Sequence, residues 1–122
     1  MKFNGCRVLV VDDDPDSRDV IAELLESSGY AVEKARHGAE AIQTLEGGFD
    51  PDLVLTDLMM PVMTGWELYD ALKARLSWQF IPIIVMCGMS PEQRGQLRVA
   101  DAFEKPTDFP VLLKRVAELC GA

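Results

Sequence analysis

The chain is short of positive charge, histidine and cysteine, and each shortage argues against a class of function. Its 122 residues carry 12 Lys and Arg against 20 Asp and Glu, a formal net charge of −8. So acidic a surface repels phosphate backbones, which argues against direct nucleic-acid binding and against adhesion to anionic membranes. No apolar run approaches the roughly 20 residues that cross a bilayer, and no basic-then-apolar leader opens the chain. No membrane insertion is therefore expected, and a cytoplasmic protein is the reading. The one histidine, His37, rules out a site built on two imidazoles and reads as a turn residue before Gly38. The three cysteines, Cys6, Cys87 and Cys120, are odd in number, far apart and in no Cys-x-x-Cys arrangement. They are expected to be reduced thiols, with Cys6 and Cys120 packing as small hydrophobes. Repeats, low-complexity tracts and linkers are missing too, so residues 1–122 read as one domain.

What is present is an alternation of strand and helix. Arg7 to Val11 is a short aliphatic run that ends abruptly in Asp12-Asp13-Asp14-Pro15. A run apolar on both faces belongs inside a parallel sheet covered on each side. Asp14 then caps a helix with Pro15 at its first position, Val20, Ile21, Leu24 and Leu25 form its inward stripe, and Gly29 stops it. Tyr30 to Ala35 reads as a second strand, Ala39 to Leu45 as a short helix, and Leu53 to Thr56 as a third strand running into Asp57. A helix follows over Trp66 to Leu76, then a fourth strand over Ile81 to Cys87. A weaker helix is expected over Pro91 to Leu97, a short last strand at Ala102 to Glu104, and a final helix from Asp108 with Leu112, Leu113, Val116 and Leu119 inward. Five such units in so short a chain predict an α/β fold: a flavodoxin-like, doubly wound, five-stranded parallel sheet of order 2-1-3-4-5 with five helices, the fourth shortened.

Ligands of such sheets bind beyond the carboxyl ends of the strands, where strand order reverses. The first and third strands are neighbours there, so Asp12, Asp13 and Asp57 converge. Three carboxylates repel one another, and a hard divalent cation relieves the repulsion. Mg²⁺ takes carboxylate and carbonyl oxygens in an octahedral shell at about 2.0–2.1 Å. Lys105, before Pro106, aims an ammonium at the same pocket. Carboxylates, a metal and a lysine around one Asp make a phosphoryl site, with Asp57 as nucleophile and Mg²⁺ and Lys105 as counter-charges.

The ordered set Val8-Leu9-Val10-Val11-Asp12-Asp13-Asp14-Pro15, Pro51-Asp52-Leu53-Val54-Leu55-Thr56-Asp57-Leu58-Met59-Met60-Pro61, Gly65 with Glu67-Leu68, Pro82, and Lys105-Pro106 resembles the receiver domain of two-component response regulators over essentially the whole chain. The resemblance implies that Asp57 accepts phosphate from a phosphohistidine on a sensor histidine kinase or a histidine phosphotransfer protein. It further implies that Asp13 ligates Mg²⁺ directly and Asp12 through water, that the backbone carbonyl of Met59 supplies another ligand, and that Lys105 binds the acyl phosphate. Output then comes from contact with a downstream protein target, and the only catalysis is the chain's own phosphoryl transfer and slow autodephosphorylation, so it is not an enzyme otherwise. The chain stops just after the last expected helix, which fits a stand-alone receiver or a portion of a longer protein.

Three departures from the family pattern carry expectations of their own. The family places Thr or Ser at the end of the fourth strand, where this chain has Cys87, a poorer hydrogen-bond donor, which weakens the coupling of phosphate to conformation. Cys87 and Lys105 are 18 positions apart, about one helical turn short of the family habit, and Gly95 lowers helix propensity between them. Met59 and Met89 stand where polar side chains can position water, which implies a long-lived acyl phosphate. Among other classes, a receiver-like adaptor that signals without phosphate is the second reading. An Asp-nucleophile phosphatase is disfavoured because Asp57-Leu58-Met59 lacks a second acid, and flavin binding because Asp12-Asp13-Asp14 would repel a phosphate.

Overall fold

The computed structural model describes residues 6–57, 63–86, 101–103 and 109–120. Five strands and four helices lie among them: β1 (Arg7–Val11), α1 (Pro15–Ser27), β2 (Ala31–Ala35), α2 (Gly38–Glu46), β3 (Leu53–Asp57), α3 (Gly65–Ala74), β4 (Ile83–Met86), β5 (Asp101–Phe103) and α4 (Phe109–Leu119). All pairings are parallel, in the order β2-β1-β3-β4-β5. The sheet and its order agree with the sequence reading. The expected helix over 91–97 falls outside the described residues, so α4 is the last of the five expected helices.

The period-2 alternation of the strands sorts their side chains into two layers. Leu9, Val11, Val54, Ile83 and Val85 pack with Ala41 and Leu45 of α2 and with Leu68, Tyr69 and Leu72 of α3. Val8, Val10, Leu53, Leu55, Ile84 and Met86 pack with Ile21 and Leu25 of α1 and with Leu112 and Val116 of α4. Val8 through Val11 and Leu53 through Leu55 are all fully buried, which is why these runs are unbrokenly aliphatic.

Local signals set the helix ends. The Asp14 carboxylate accepts from the Asp16 N–H at 3.1 Å, with Pro15 opening α1. Gly29, at φ 96°, turns the chain out of that helix as only glycine does cheaply. Thr64 and Glu67 form a reciprocal capping box at the start of α3. His37 is more than a turn residue: its Nδ1 accepts the Glu40 N–H at 3.2 Å and caps α2. Of the aromatics beyond α3, Trp78 is buried under the Arg75 guanidinium, whereas Phe80 is 86% exposed.

The thiol expectation is corrected. Cys6 and Cys120 are joined in a disulfide, their Cα atoms 5.9 Å apart across a sequence separation of 114. Cys6 precedes β1, Cys120 follows α4, and the layer shared by β1 and α4 brings them together. No local spacing announces such a pair, because it exists only once the last helix has docked on the first strand. In the chain-entropy account, closing so long a loop stabilises the fold by roughly 3–5 kcal/mol.

Candidate phosphoryl and metal site

Strand register builds the site. Val11 pairs with Thr56, so the residues one step beyond each, Asp12 and Asp57, leave adjacent strands at the same level. Asp13 follows Asp12 into the turn. A carboxylate oxygen from each of Asp12, Asp13 and Asp57 lies within 4.8 Å of the others. Asp12 is fully buried, Asp57 is 6% exposed, and Asp13 faces solvent. The three acids that the sequence reading singled out are therefore brought together, two of them out of water.

A buried carboxylate needs donors, and the turn supplies them. Asp12 Oδ1 accepts the Asp14 N–H at 3.0 Å, and Asp12 Oδ2 accepts the Ser17 hydroxyl at 2.9 Å. The Arg18 guanidinium donates to the Asp12 backbone carbonyl at 3.0 Å, while the Asp12 N–H donates to the Ala35 carbonyl at 3.1 Å. Asp12 is thus held on both sides of its peptide and at both oxygens. Thr56, buried beside the nucleophile candidate, donates its hydroxyl to the Asp57 carbonyl at 2.8 Å. Ser17 and Arg18 are site residues that sequence reasoning missed. The available signal was their place on the first turn of α1, facing back toward the acids.

The start of α2 meets the segment leading into α3. The Gly38 N–H donates to the Met63 carbonyl at 3.2 Å, and a Cβ at position 38 would fall 2.6 Å from Met63 Cγ. A larger residue at position 38 would therefore have to displace the Met63 side chain. Trp66 packs, partly buried, against the layer beneath α2 and α3. Cys87, Lys105, Met59 and Met89 lie outside the described residues, as does the Lys105-Pro106 turn.

The donor set suits a small hard cation. All three groups are carboxylates, the charge they concentrate is negative, and among the described residues no cysteine or histidine joins the cluster, which fits Mg²⁺ rather than a softer metal. Phosphoryl chemistry at a carboxylate asks for the same surroundings, a nucleophilic oxygen and nearby compensation of charge.

Comparison with known proteins agrees with this geometry. The sequence pattern of the response regulator receiver domain matches residues 8–117. The chain is 34% identical over 119 residues to an uncharacterised 14.6 kDa protein in the sodA1 3′ region of Leptolyngbya boryana, covering 94% of this chain and 90% of that protein. It superposes on the chemotaxis response regulator CheY4 of Vibrio cholerae with a TM-score of 0.85 at 30% identity, covering 93% of this chain and 98% of that one. The receiver domain of sensor histidine kinase PA1611 from Pseudomonas aeruginosa PAO1, which has a magnesium ion coordinated in its active site cleft, is 26% identical with a TM-score of 0.85, at 97% and 99% coverage. Seven further curated relatives are longer, and the chain spans 7% to 48% of their lengths.

Proposed function

The chain belongs to the response regulator receiver family, and from that premise we propose that it is a phosphoacceptor of a two-component phosphorelay, with Asp57 as the accepting residue. The convergence of Asp12, Asp13 and Asp57 within 4.8 Å is the observation that carries this reading. An Asp57 oxygen attacks the phosphorus of a phosphohistidine on a sensor kinase or phosphotransfer protein. The P–N bond breaks, its electron pair goes to the imidazole nitrogen, and an acyl phosphate remains on Asp57.

Asp13 and Asp57 would hold Mg²⁺ directly and Asp12 through water, with the Met59 carbonyl as a further ligand. Bound there, the cation offsets the carboxylate charge and that of the incoming phosphoryl oxygens. The magnesium-bearing PA1611 receiver supports this assignment by likeness. Ser17 and the Asp14 N–H hold the Asp12 carboxylate so that it need not reorient when charge arrives. Lys105 binds the acyl phosphate, and Cys87, in the place of a hydroxyl, passes its presence on weakly. The phosphorylated form then engages a downstream protein target; beyond its own phosphorylation and slow dephosphorylation the chain catalyses nothing. Among the described residues no helix is long and apolar enough to cross a membrane; the location proposed for this reading is cytoplasmic.

The test is incubation with a small acyl-phosphate or phosphoramidate donor, with and without Mg²⁺. Mass addition of one phosphoryl group, dependent on Mg²⁺ and lost in Asp57→Asn, is expected. Phosphorylation that persists in Asp57→Asn would overturn the assignment, and no incorporation into the intact chain would favour the phosphate-independent adaptor.

A further inference from the structure

The disulfide lies at the opposite end of the sheet from the acids. Cys6 immediately precedes β1, whereas Asp12 immediately follows it, so the length of the strand separates them. The two cysteines differ in exposure: Cys6 is 5% exposed and Cys120 is half-buried at the end of α4. The helix that Cys120 ends is anchored unevenly. Leu112 and Val116 are buried in the layer with β1, while Leu113, Leu119 and Cys120 only pack against its edge. The bond therefore secures a last helix turn in which no residue is fully buried.

We propose that Cys6–Cys120 is a reversible redox site, responsive to low-molecular-weight thiols and disulfides of the glutathione class, which clasps the last turn of α4 to the start of β1. The inference rests on the cytoplasmic reading above. In a thiol-rich compartment a cysteine pair at bonding distance follows the local redox state, and disulfides there serve as sensors more often than as permanent staples. Opening begins at the less buried cysteine. A thiolate attacks Cys120 Sγ, forming a mixed disulfide and releasing the Cys6 thiolate. A second thiolate attacks the outer sulfur of that mixed disulfide and releases Cys120. Two low-molecular-weight thiols become one disulfide, and the protein gains two electrons and, with them, two protons. Closing is the reverse, with the small disulfide as oxidant.

With the clasp open, Leu112 and Val116 still hold the body of α4, and its last turn frays. The Cys120 N–H, which donates to the Val116 carbonyl at 2.9 Å, reports on that turn directly. The redox input thus acts on the last helix without touching Asp57.

The experiment equilibrates the folded protein in glutathione buffers of graded ratio. It then quenches with acid and counts alkylated thiols in denaturant. The three cysteines give three tags when the pair is open and one when it is closed. A reversible midpoint in the native protein is expected, with a melting temperature about 10 °C lower in the open form. Amide exchange at residues 118–120 should speed up about tenfold while that at 112–116 holds. In Cys120→Ser, and separately in Cys6→Ser, the melting temperature should stop responding to the buffer. Three tags at every ratio, or one tag at every ratio that rises to three only when the protein is denatured before reduction, would overturn the proposal, as would a melting temperature indifferent to opening. None of these readings involves Asp57, so failure here is distinct from failure of the phosphoacceptor reading.

Discussion

The two ends of β1 and β3 sit on the same pair of strands and are built to opposite rules. At the amino end, the Arg7 N–H is taken by the Asp52 carboxylate at 2.9 Å, Cys6 is bonded to Cys120, and the neighbours are apolar. At the carboxyl end, Asp12 and Asp57 are withdrawn from water beside each other, and Asp13 adds a third like charge. The aliphatic segments between are indistinguishable in burial. Their difference follows from direction: in a parallel sheet, adjacent strands all finish at one end, so only there do the residues leaving each strand meet. The amino end gathers contacts that lower the free energy of the fold. The carboxyl end gathers groups that raise it until a cation compensates them.

The largest expected effect tests the shared middle. Leu9→Ala empties a fully buried position between β1 and the α2–α3 layer and should cost about 3 kcal/mol by urea denaturation. Asp57→Asn should have the opposite sign in the absence of divalent cations, because it removes one of three mutually repelling charges; a gain on the order of 1 kcal/mol is expected. Millimolar Mg²⁺ should then stabilise the parent chain and leave the variant nearly unmoved, since a ligand stabilises only the state that binds it. If Leu9→Ala and Asp57→Asn destabilise alike, the contrast between the middle and the carboxyl end is lost.

The same contrast explains what the sequence made legible. Unbroken aliphatic runs and their terminal acids are read directly, because burial on both faces leaves no polar residue inside the strand; the sheet order and the meeting of Asp12, Asp13 and Asp57 followed from them. Signals confined to one turn were also readable, as at Asp14, Pro15 and Gly29. Long-range pairing was not: nothing near Cys6 or Cys120 in sequence records the other. Element edges moved where a side chain took an unusual role. His37 caps α2, so the helix begins at Gly38 rather than Ala39. The Ile81 N–H goes to the Trp78 carbonyl and Pro82 has no N–H, so β4 starts at Ile83 rather than Ile81. Ser17 escaped notice because a hydroxyl on a first helical turn usually serves its own helix, whereas this one serves the buried acid behind it.

Ser17 offers a finer probe of the carboxyl end. Ser17→Ala removes the donor to Asp12 Oδ2 and should lower stability by about 1.5 kcal/mol, the scale of a hydrogen bond to a charged group. A purely stabilising hydroxyl would leave metal binding alone. A positioning one would not, and Mg²⁺ affinity, followed through Trp66 fluorescence or calorimetry, is expected to weaken about tenfold, the low end for groups that orient metal ligands. Ser17→Thr keeps the hydroxyl and should restore both readings. Lost stability with unchanged affinity would assign Ser17 to the fold alone.

The smallest effect sits just beside the site, where β2 gives way to α2. Burial would push the Glu40 carboxyl up, but the Arg36 side chain and backbone N–H both donate to it, at 2.9 and 3.1 Å, and the charges of Arg36 and His37 add to them, so that it sits below its ordinary value of 4.5. A carboxyl lowered in the folded state stabilises at and above its unfolded value, and the contribution fades as pH falls through the lower native one. Arg36 is 68% exposed and Glu40 29%, so the pair contributes less than about 1 kcal/mol. Glu40→Gln should therefore be slightly less stable than the parent at neutral pH, and the gap should close as both are acidified from about pH 4.5 toward pH 3. A gap that stays constant over that range would mean that the carboxylate charge does nothing there and that the side chain acts only as an uncharged acceptor. The effect should also shrink with added salt, whereas that of Leu9→Ala should not, because screening reaches an exposed ion pair and leaves a buried methyl untouched.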